Sequence, residues 1–182
     1  MIESTAALLL RDFVNTLDVE LGADDLAAPA RLAEWLAGRG LVPPGTGADA
    51  ADLDRAVALR EGLRAAMLGH HGPAAAPPAE LDGALAALPL RVSLAGGAPA
   101  LLPAGTGASA GLARIAAAIP ATVGEGTWPR LKACPEHTCM WAFLDTSKNR
   151  SRTWCSMRVC GNRTKTRAYR ARHRPAPDGA TP

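Results

Sequence analysis

Cys134, Cys139, Cys155 and Cys160 are the only cysteines in the 182-residue chain, and they fall as two Cys-x4-Cys pairs with fifteen residues between. Thiolates bind zinc at about 2.3 Å in a tetrahedron, and four of them fill the shell with no position left for water. That donor set favours a structural ion, one that contributes on the order of 10–16 kcal/mol to the folding of a small module. Pro135 and Thr138 suit a turn that folds the first pair back on itself. Trp141, Phe143 and Trp154 can supply a small core beside the metal. Two disulfides, an iron–sulfur cluster, or His137 in place of one cysteine remain alternatives, whereas the Cys-x2-Cys spacing of a redox thiol site is absent.

The residues that follow Cys160 are strongly basic. Asn162 is a good N-cap, Pro175 a good stop, and the stretch between them favours a helix. On such a helix Arg163, Arg167, Arg170 and Arg174 form one stripe, widened by Lys165 and Arg172, with Tyr169 beside it. No acid interrupts it. Paired donors in a fixed plane suit arginine to phosphate oxygens. Arg152, Arg163, Lys165, Arg167, Arg170 and Arg174 are therefore the candidate nucleic-acid contacts. Trp141, Trp154 and Tyr169 can stack on bases if exposed, and an acidic protein partner or a merely solvated face are the competing readings. Charge is segregated along the chain: residues 130–174 carry twelve Lys or Arg against two acids, a net +10, while residues 1–129 carry a net −6. The basic part is the one fitted to a polyanion.

Several elements must position these groups. Leu9, Phe13, Leu17 and Leu21 recur every four residues, predicting a helix over 4–21. Pro29 to Ala37 reads as a second helix ended by Gly38 and Gly40. The stripe Leu53, Val57, Leu59, Leu63 and Met67 predicts a third over 49–70, with Asp49, Asp52 and Asp54 at its positive end. A Pro/Ala loop over 72–78, a short helix over 79–88 and a hairpin over 90–103 around Gly96-Gly97 follow. A helix over 108–119 meets Pro120, which stops or kinks it, and residues 124–129 read as a linker. The expected fold class is α+β, mainly helical: an N-terminal helical domain (1–125) with a small β-hairpin, then a zinc-bound module (126–175) ending in a basic helix, and a disordered tail over 176–182.

Composition excludes some functions. No run approaches the roughly 18 apolar residues of a membrane span, and Glu3 before the short Ala6–Leu10 run argues against a signal peptide. A cytoplasmic protein is expected, where clustered cysteines serve as metal ligands more often than as disulfides. No nucleophile motif or phosphate loop appears, so catalysis is not expected. Asp12, Asn15 and Thr16 place polar groups on an otherwise apolar helix, either as a buried network or as one wall of a pocket for a small-molecule effector. His70-His71 reads as a surface helix end.

The string Leu131-Lys132-Ala133-Cys134, Cys139, Phe143-Leu144-Asp145-Thr146-Ser147-Lys148, Arg152-Thr153-Trp154-Cys155-Ser156-Met157, Cys160-Gly161-Asn162-Arg163, with Lys165 and Tyr169-Arg170, resembles the CGNR zinc finger. Asp12-Phe13-Val14-Asn15-Thr16 resembles the opening motif of the ABATE domain that precedes that finger. Proteins of this kind are described as stress-induced transcription regulators, mostly bacterial. The resemblance implies that Cys134, Cys139, Cys155 and Cys160 bind one zinc ion and that the finger contacts DNA; the leading reading of the chain is a regulator of duplex DNA whose N-terminal domain senses a ligand or mediates association. RNA binding and a protein-interaction adaptor are the other readings. A palindromic target would require a homodimer, for which no heptad or apolar stripe is visible.

Overall fold

The computed structural model describes residues 4–72 and 78–173; Arg174, the tail over 176–182 and most of the expected loop over 72–78 lie outside the described residues. α1 (Thr5–Val14) starts at Ser4, whose hydroxyl accepts from the Ala7 N–H at 3.1 Å. It stops four residues after Leu10, not at Leu21. Thr16 turns its hydroxyl back onto Phe13 O, and the chain enters a two-residue hairpin, β1 (Leu17–Asp18) and β2 (Ala23–Asp24), with Gly22 at positive φ. Leu21 is consequently 79% exposed, so the four-residue spacing of Leu17 and Leu21 was coincidental. The tertiary bonds of Asn15 and Thr16 override the helical period here.

α2 (Pro29–Gly38) has the expected Pro at its first turn and buries Leu32 and Leu36. α3 (Ala50–Gly69) opens on a reciprocal capping box between Asp49 and Asp52, which satisfies two of the free N–H groups of its first turn. Its inner face holds Ala56, Leu59, Leu63 and Met67, while Leu53 and Val57 are only partly covered. Two arginines, Arg60 and Arg64, lie on the same buried surface, which no apolar period announces. α4 (Ala79–Ala86) crosses α3 at Gly62, where an added Cβ would stand 2.9 Å from Leu81 Cα. The hairpin expected over 90–103 forms as β3 (Leu90–Ser93) paired antiparallel to β4 (Ala100–Pro103), turning at Gly97 with φ +80°.

α5 (Gly107–Gly124) runs through Pro120 rather than ending there. Proline removes one donor, but its fixed φ is helical. Thr122 holds the far side by donating its hydroxyl to Ile119 O at 2.6 Å. Residues 124–129 turn sharply: Thr127 N–H returns to Thr122 O at 2.9 Å, and a 3-10 turn at Trp128–Arg130 feeds β5 (Leu131–Ala133). β5 pairs antiparallel with β6 (Ala142–Leu144). A wide turn over Met157–Gly161 then leads into α6 (Asn162–Arg172).

One apolar core joins these parts. Leu10 and Phe13 of α1, Leu36 of α2, Leu63 and Met67 of α3 and Ile115 of α5 share it with Leu131, Ala133 and Ala142 of the finger strands. Burial of each large aliphatic chain contributes about 1.5–3 kcal/mol, so β5 and β6 draw stability from the N-terminal helices as well as from the metal. A second cluster holds Cys134, Cys139 and Cys160, with Trp154 and Cys155 packed against it.

Candidate metal centre and nucleic-acid interface

The first cysteine pair sits on the turn of the β5–β6 hairpin. Cys134 N–H bonds Trp141 O at 3.0 Å, and Glu136 O accepts from both Cys139 N–H (2.8 Å) and Met140 N–H (3.0 Å). Met140 takes φ +53° to close this knuckle. The second pair brackets the turn into α6, where the Ser156 hydroxyl accepts from Val159 N–H and Gly161 N–H reaches Ser156 O. Gly161 is crowded: an added Cβ would stand 2.5 Å from Met157 Sδ.

All four sulfurs lie within 4.8 Å of one another, with Cys139–Cys155 at 3.5 Å and Cys155–Cys160 at 3.7 Å. A tetrahedron with arms of about 2.3 Å has edges of about 3.8 Å. All four are free thiols, so the disulfide alternative does not describe this fold. Burial, reinforced by the neighbouring sulfurs, pushes the Cys160 thiol up to about 12 and moves Cys155 the same way. A divalent cation inverts that preference by stabilising the thiolates. The cluster suits one structural zinc ion, with no protein position left open. His137 stands apart, with an exposed side chain beside Glu136.

Buried polar groups brace the centre. Lys132 and Asp145 form an ion pair at 2.8 Å, and the ammonium also donates to Arg150 O and Arg152 O. Asp145 further accepts from Ser147 N–H and Arg152 N–H, which fixes the loop after β6. Burial pushes the Asp145 carboxyl up, but Lys132 and Ser147 outweigh it and hold the group at about 2. Glu136 lies between the first knuckle and α6, where Arg167 at 2.9 Å holds it down to about 2. Thr164 and Thr138 complete its shell.

That arrangement changes the reading of the basic stripe. Arg163 bonds Glu20 at 2.7 Å and Thr138 at 3.0 Å, and Arg167 is committed to Glu136. These two arginines lock α6 to the protein instead of standing free. Arg152 is on the loop before Cys155, stacked 4.7 Å over the Phe143 ring and donating to Trp154 O and Cys155 O. Lys165, Arg170 and Arg172 are exposed and, among the described residues, make no ion pair; Arg158, which the sequence did not single out, joins them on the preceding turn. Of the three aromatic residues considered for stacking, Tyr169 alone lies on α6, 57% exposed and stacked on His173. Trp154 packs on the cysteine cluster.

The polar trio of α1 also separates. Asn15 pairs with the backbone of Ala142, and Thr16 is buried against Arg60. Asp12 bonds Arg11 and Arg39, and burial opposes but does not prevent a lowered carboxyl pKa. Asp12 and Asn15 line a cleft of about 650 Å³ that Thr16 does not reach. Other bonds missed by sequence reasoning join α3 to the finger. Arg64 donates to Val14 O (2.7 Å) and Met140 O (2.8 Å), and His70 and His71 meet Leu131 O and Ala133 O at 2.6 Å each. The sequence reading of His70-His71 as a surface helix end is thus corrected: both rings are half-buried against β5, because its carbonyls lie within hydrogen-bond reach of the end of α3. Burial shifts the His70 pKa downward, against the opposing effect of the Leu131 carbonyl.

Comparison with known families agrees with this geometry. The model described as "CGNR zinc finger" matches residues 130–173, and the one described as "Putative stress-induced transcription regulator" matches residues 8–126. No curated protein matches the chain. Among the described residues no helix is long and apolar enough to cross a membrane. With its larger part covered by one model and its cysteine module by the other, the chain belongs to the ABATE family and carries a CGNR zinc finger.

Proposed function

We propose that this protein is a cytoplasmic transcriptional regulator that binds duplex DNA through the outer face of α6 and the turn before it. Cys134, Cys139, Cys155 and Cys160 hold the zinc ion that fixes the turn, and α6 grows directly out of the last ligand. The observation that carries the reading is the exposed, acid-free cluster Arg158, Lys165, Arg170 and Arg172 on that rigid base. Arg163 pairs with the surface carboxylate of Glu20 and Arg167 with the buried one of Glu136, so in this reading they act as positioning residues for the helix. Arg174, at the end of the stripe, belongs to the proposed contact set by sequence alone. Both matching families are of regulator and zinc-finger type, which supports a binding rather than a catalytic role.

Six neutralised phosphates would give a log–log salt slope of about −5. The six counted are Arg158, Lys165, Arg170 and Arg172 with Lys148 and Arg150, exposed on the loop after β6; Arg174 as a seventh contact would steepen the slope by about one. Titration of the zinc-loaded chain against duplex DNA across ionic strength is the test. A slope of that size supports the reading, and absence of binding at low salt removes it. Exposed Tyr169 beside these bases favours single-stranded RNA as the second reading. Competition between duplex DNA and RNA of equal length separates the two.

A further inference from the structure

Three of the seven aromatic residues of this aromatic-poor chain, Trp35, Trp141 and Phe143, line one cleft between α1, α2 and the finger strand β6. Two of them carry a guanidinium on the ring face: Arg39 lies 5.1 Å from the Trp35 centroid and Arg152 4.7 Å from that of Phe143. At about 650 Å³ the cleft falls within the range of small-molecule sites, and its place at the seam of two parts of the fold is a common one for such sites. Arg11 and Arg39 share the single carboxylate of Asp12. Arg152 has no carboxylate partner among the described residues and spends part of its donors on backbone carbonyls. With Asp25 counted beside Asp12, three arginines still face two carboxylates in the lining.

We propose that this cleft binds a small planar carboxylate, an aromatic or conjugated acid. Its ring would lie against Trp141, and its carboxylate would meet the guanidinium groups of Arg39 and Arg152, which cover the rings of Trp35 and Phe143. Flat aromatic walls select a planar body, and guanidinium pairs select a carboxylate through two parallel N–H donors. A ligand held here would touch α1 and α2 on one side and the loop to Cys155 on the other, so it would bridge the N-terminal helices and the zinc module. Any effect of that ligand on nucleic-acid affinity rests on the function proposed above; binding in the cleft does not.

The test is a titration of the zinc-loaded, 15N-labelled chain with benzoate, and separately with uncharged benzamide, in the absence of nucleic acid. The four tryptophan indole N–H signals report position. Saturable shifts at Trp35 and Trp141 with benzoate, little change at Trp128 and Trp154, and at least about ten-fold weaker binding of benzamide are expected. Arg39→Gln and Arg152→Gln are each expected to weaken benzoate by about ten-fold or more. Zinc content and the undisturbed Trp128 signal verify folding, and if Arg152→Gln loses zinc then Arg39→Gln decides. No saturable shift up to about 10 mM, the weak limit for a ligand of about ten heavy atoms, would overturn the proposal. So would equal response to benzamide, or benzoate affinity unchanged in the correctly folded variants. Because no nucleic acid is present, a failure here leaves the DNA reading untouched, and a failure to bind DNA leaves this result standing.

Discussion

The side chain of Asn15 occupies both backbone hydrogen-bonding groups of Ala142: its amide donates to the carbonyl at 2.9 Å, and its oxygen accepts the N–H at 2.7 Å. The C-cap residue of α1 thus serves as a strand partner for β6, 127 positions further along the chain. Asn15→Ala leaves a buried donor and acceptor unpaired and is expected to cost about 2–4 kcal/mol. Asn15→Asp keeps only the acceptor and should recover part of that. Denaturant unfolding of both variants checks the order, and equal stability of Asn15→Ala and wild type would show the clasp to be idle.

Arg64 is the largest fully buried side chain, and it ties α3 to Val14 O and Met140 O while pairing with Glu61. Its replacement by Ala strands two carbonyls and opens a cavity. We expect a loss of about 3–5 kcal/mol, with Arg64→Lys restoring little because one ammonium does not reproduce the fixed fork. Thermal unfolding measures it; a shift in Tm of only a degree or two would contradict the assignment.

Cys155→Ser should bring bound zinc well below one ion per chain, read by elemental analysis. Since Leu131, Ala133 and Ala142 belong to the core of the N-terminal helices, the destabilisation should spread to α1 and α3 instead of stopping at residue 130. Hydrogen exchange would locate it. Faster exchange confined to residues 150–173 would mean that the strands hold without the metal.

Asp145 is depressed from 3.8 to about 2 by Lys132 and Ser147, against the opposing effect of burial. A folded-state pKa below the unfolded one gives stability that is present above about pH 4 and lost as pH falls towards 2. The difference in unfolding free energy between wild type and Asp145→Asn should therefore shrink over that interval. Comparing the two at each pH removes the part due to acid release of zinc, which both share. A difference that stays constant from pH 5 to about 2 would refute the pairing.

Arg158, Lys165 and Arg172 changed together to Ala should leave zinc content and Tm nearly unchanged and reduce the DNA salt slope by about 3. Arg167→Ala should behave in the opposite way, since it strands the buried Glu136 carboxylate: stability falls first, and affinity only through the displaced helix. Unfolding curves and binding isotherms on the same samples distinguish the two classes. An intact slope in the triple variant would move the DNA contact away from this face.

Much of this molecule was written locally. The Cys-x4-Cys pairs, the proline start of α2, the capping residues of α3, the Gly96-Gly97 hairpin and the acid-free helix after Cys160 all depend on neighbours a few positions away, so spacing and composition expose them. Tertiary structure decided the rest. Asn15 meets Ala142, Arg64 meets Met140 and Arg163 meets Glu20 across 127, 76 and 143 residues, and no period in the sequence registers such pairs. Such long-range bonds accompany the end of α1 at Val14 in place of Leu21, and with the pairing of Arg60 to Asp24 they bury two arginines among the apolar residues of α3. They also tie Arg163 and Arg167 of the basic stripe to Glu20 and Glu136 while leaving both guanidinium groups at the surface. A charged side chain goes inside only where carbonyls and carboxylates from distant segments are already waiting, and which segments those are is settled by folding alone.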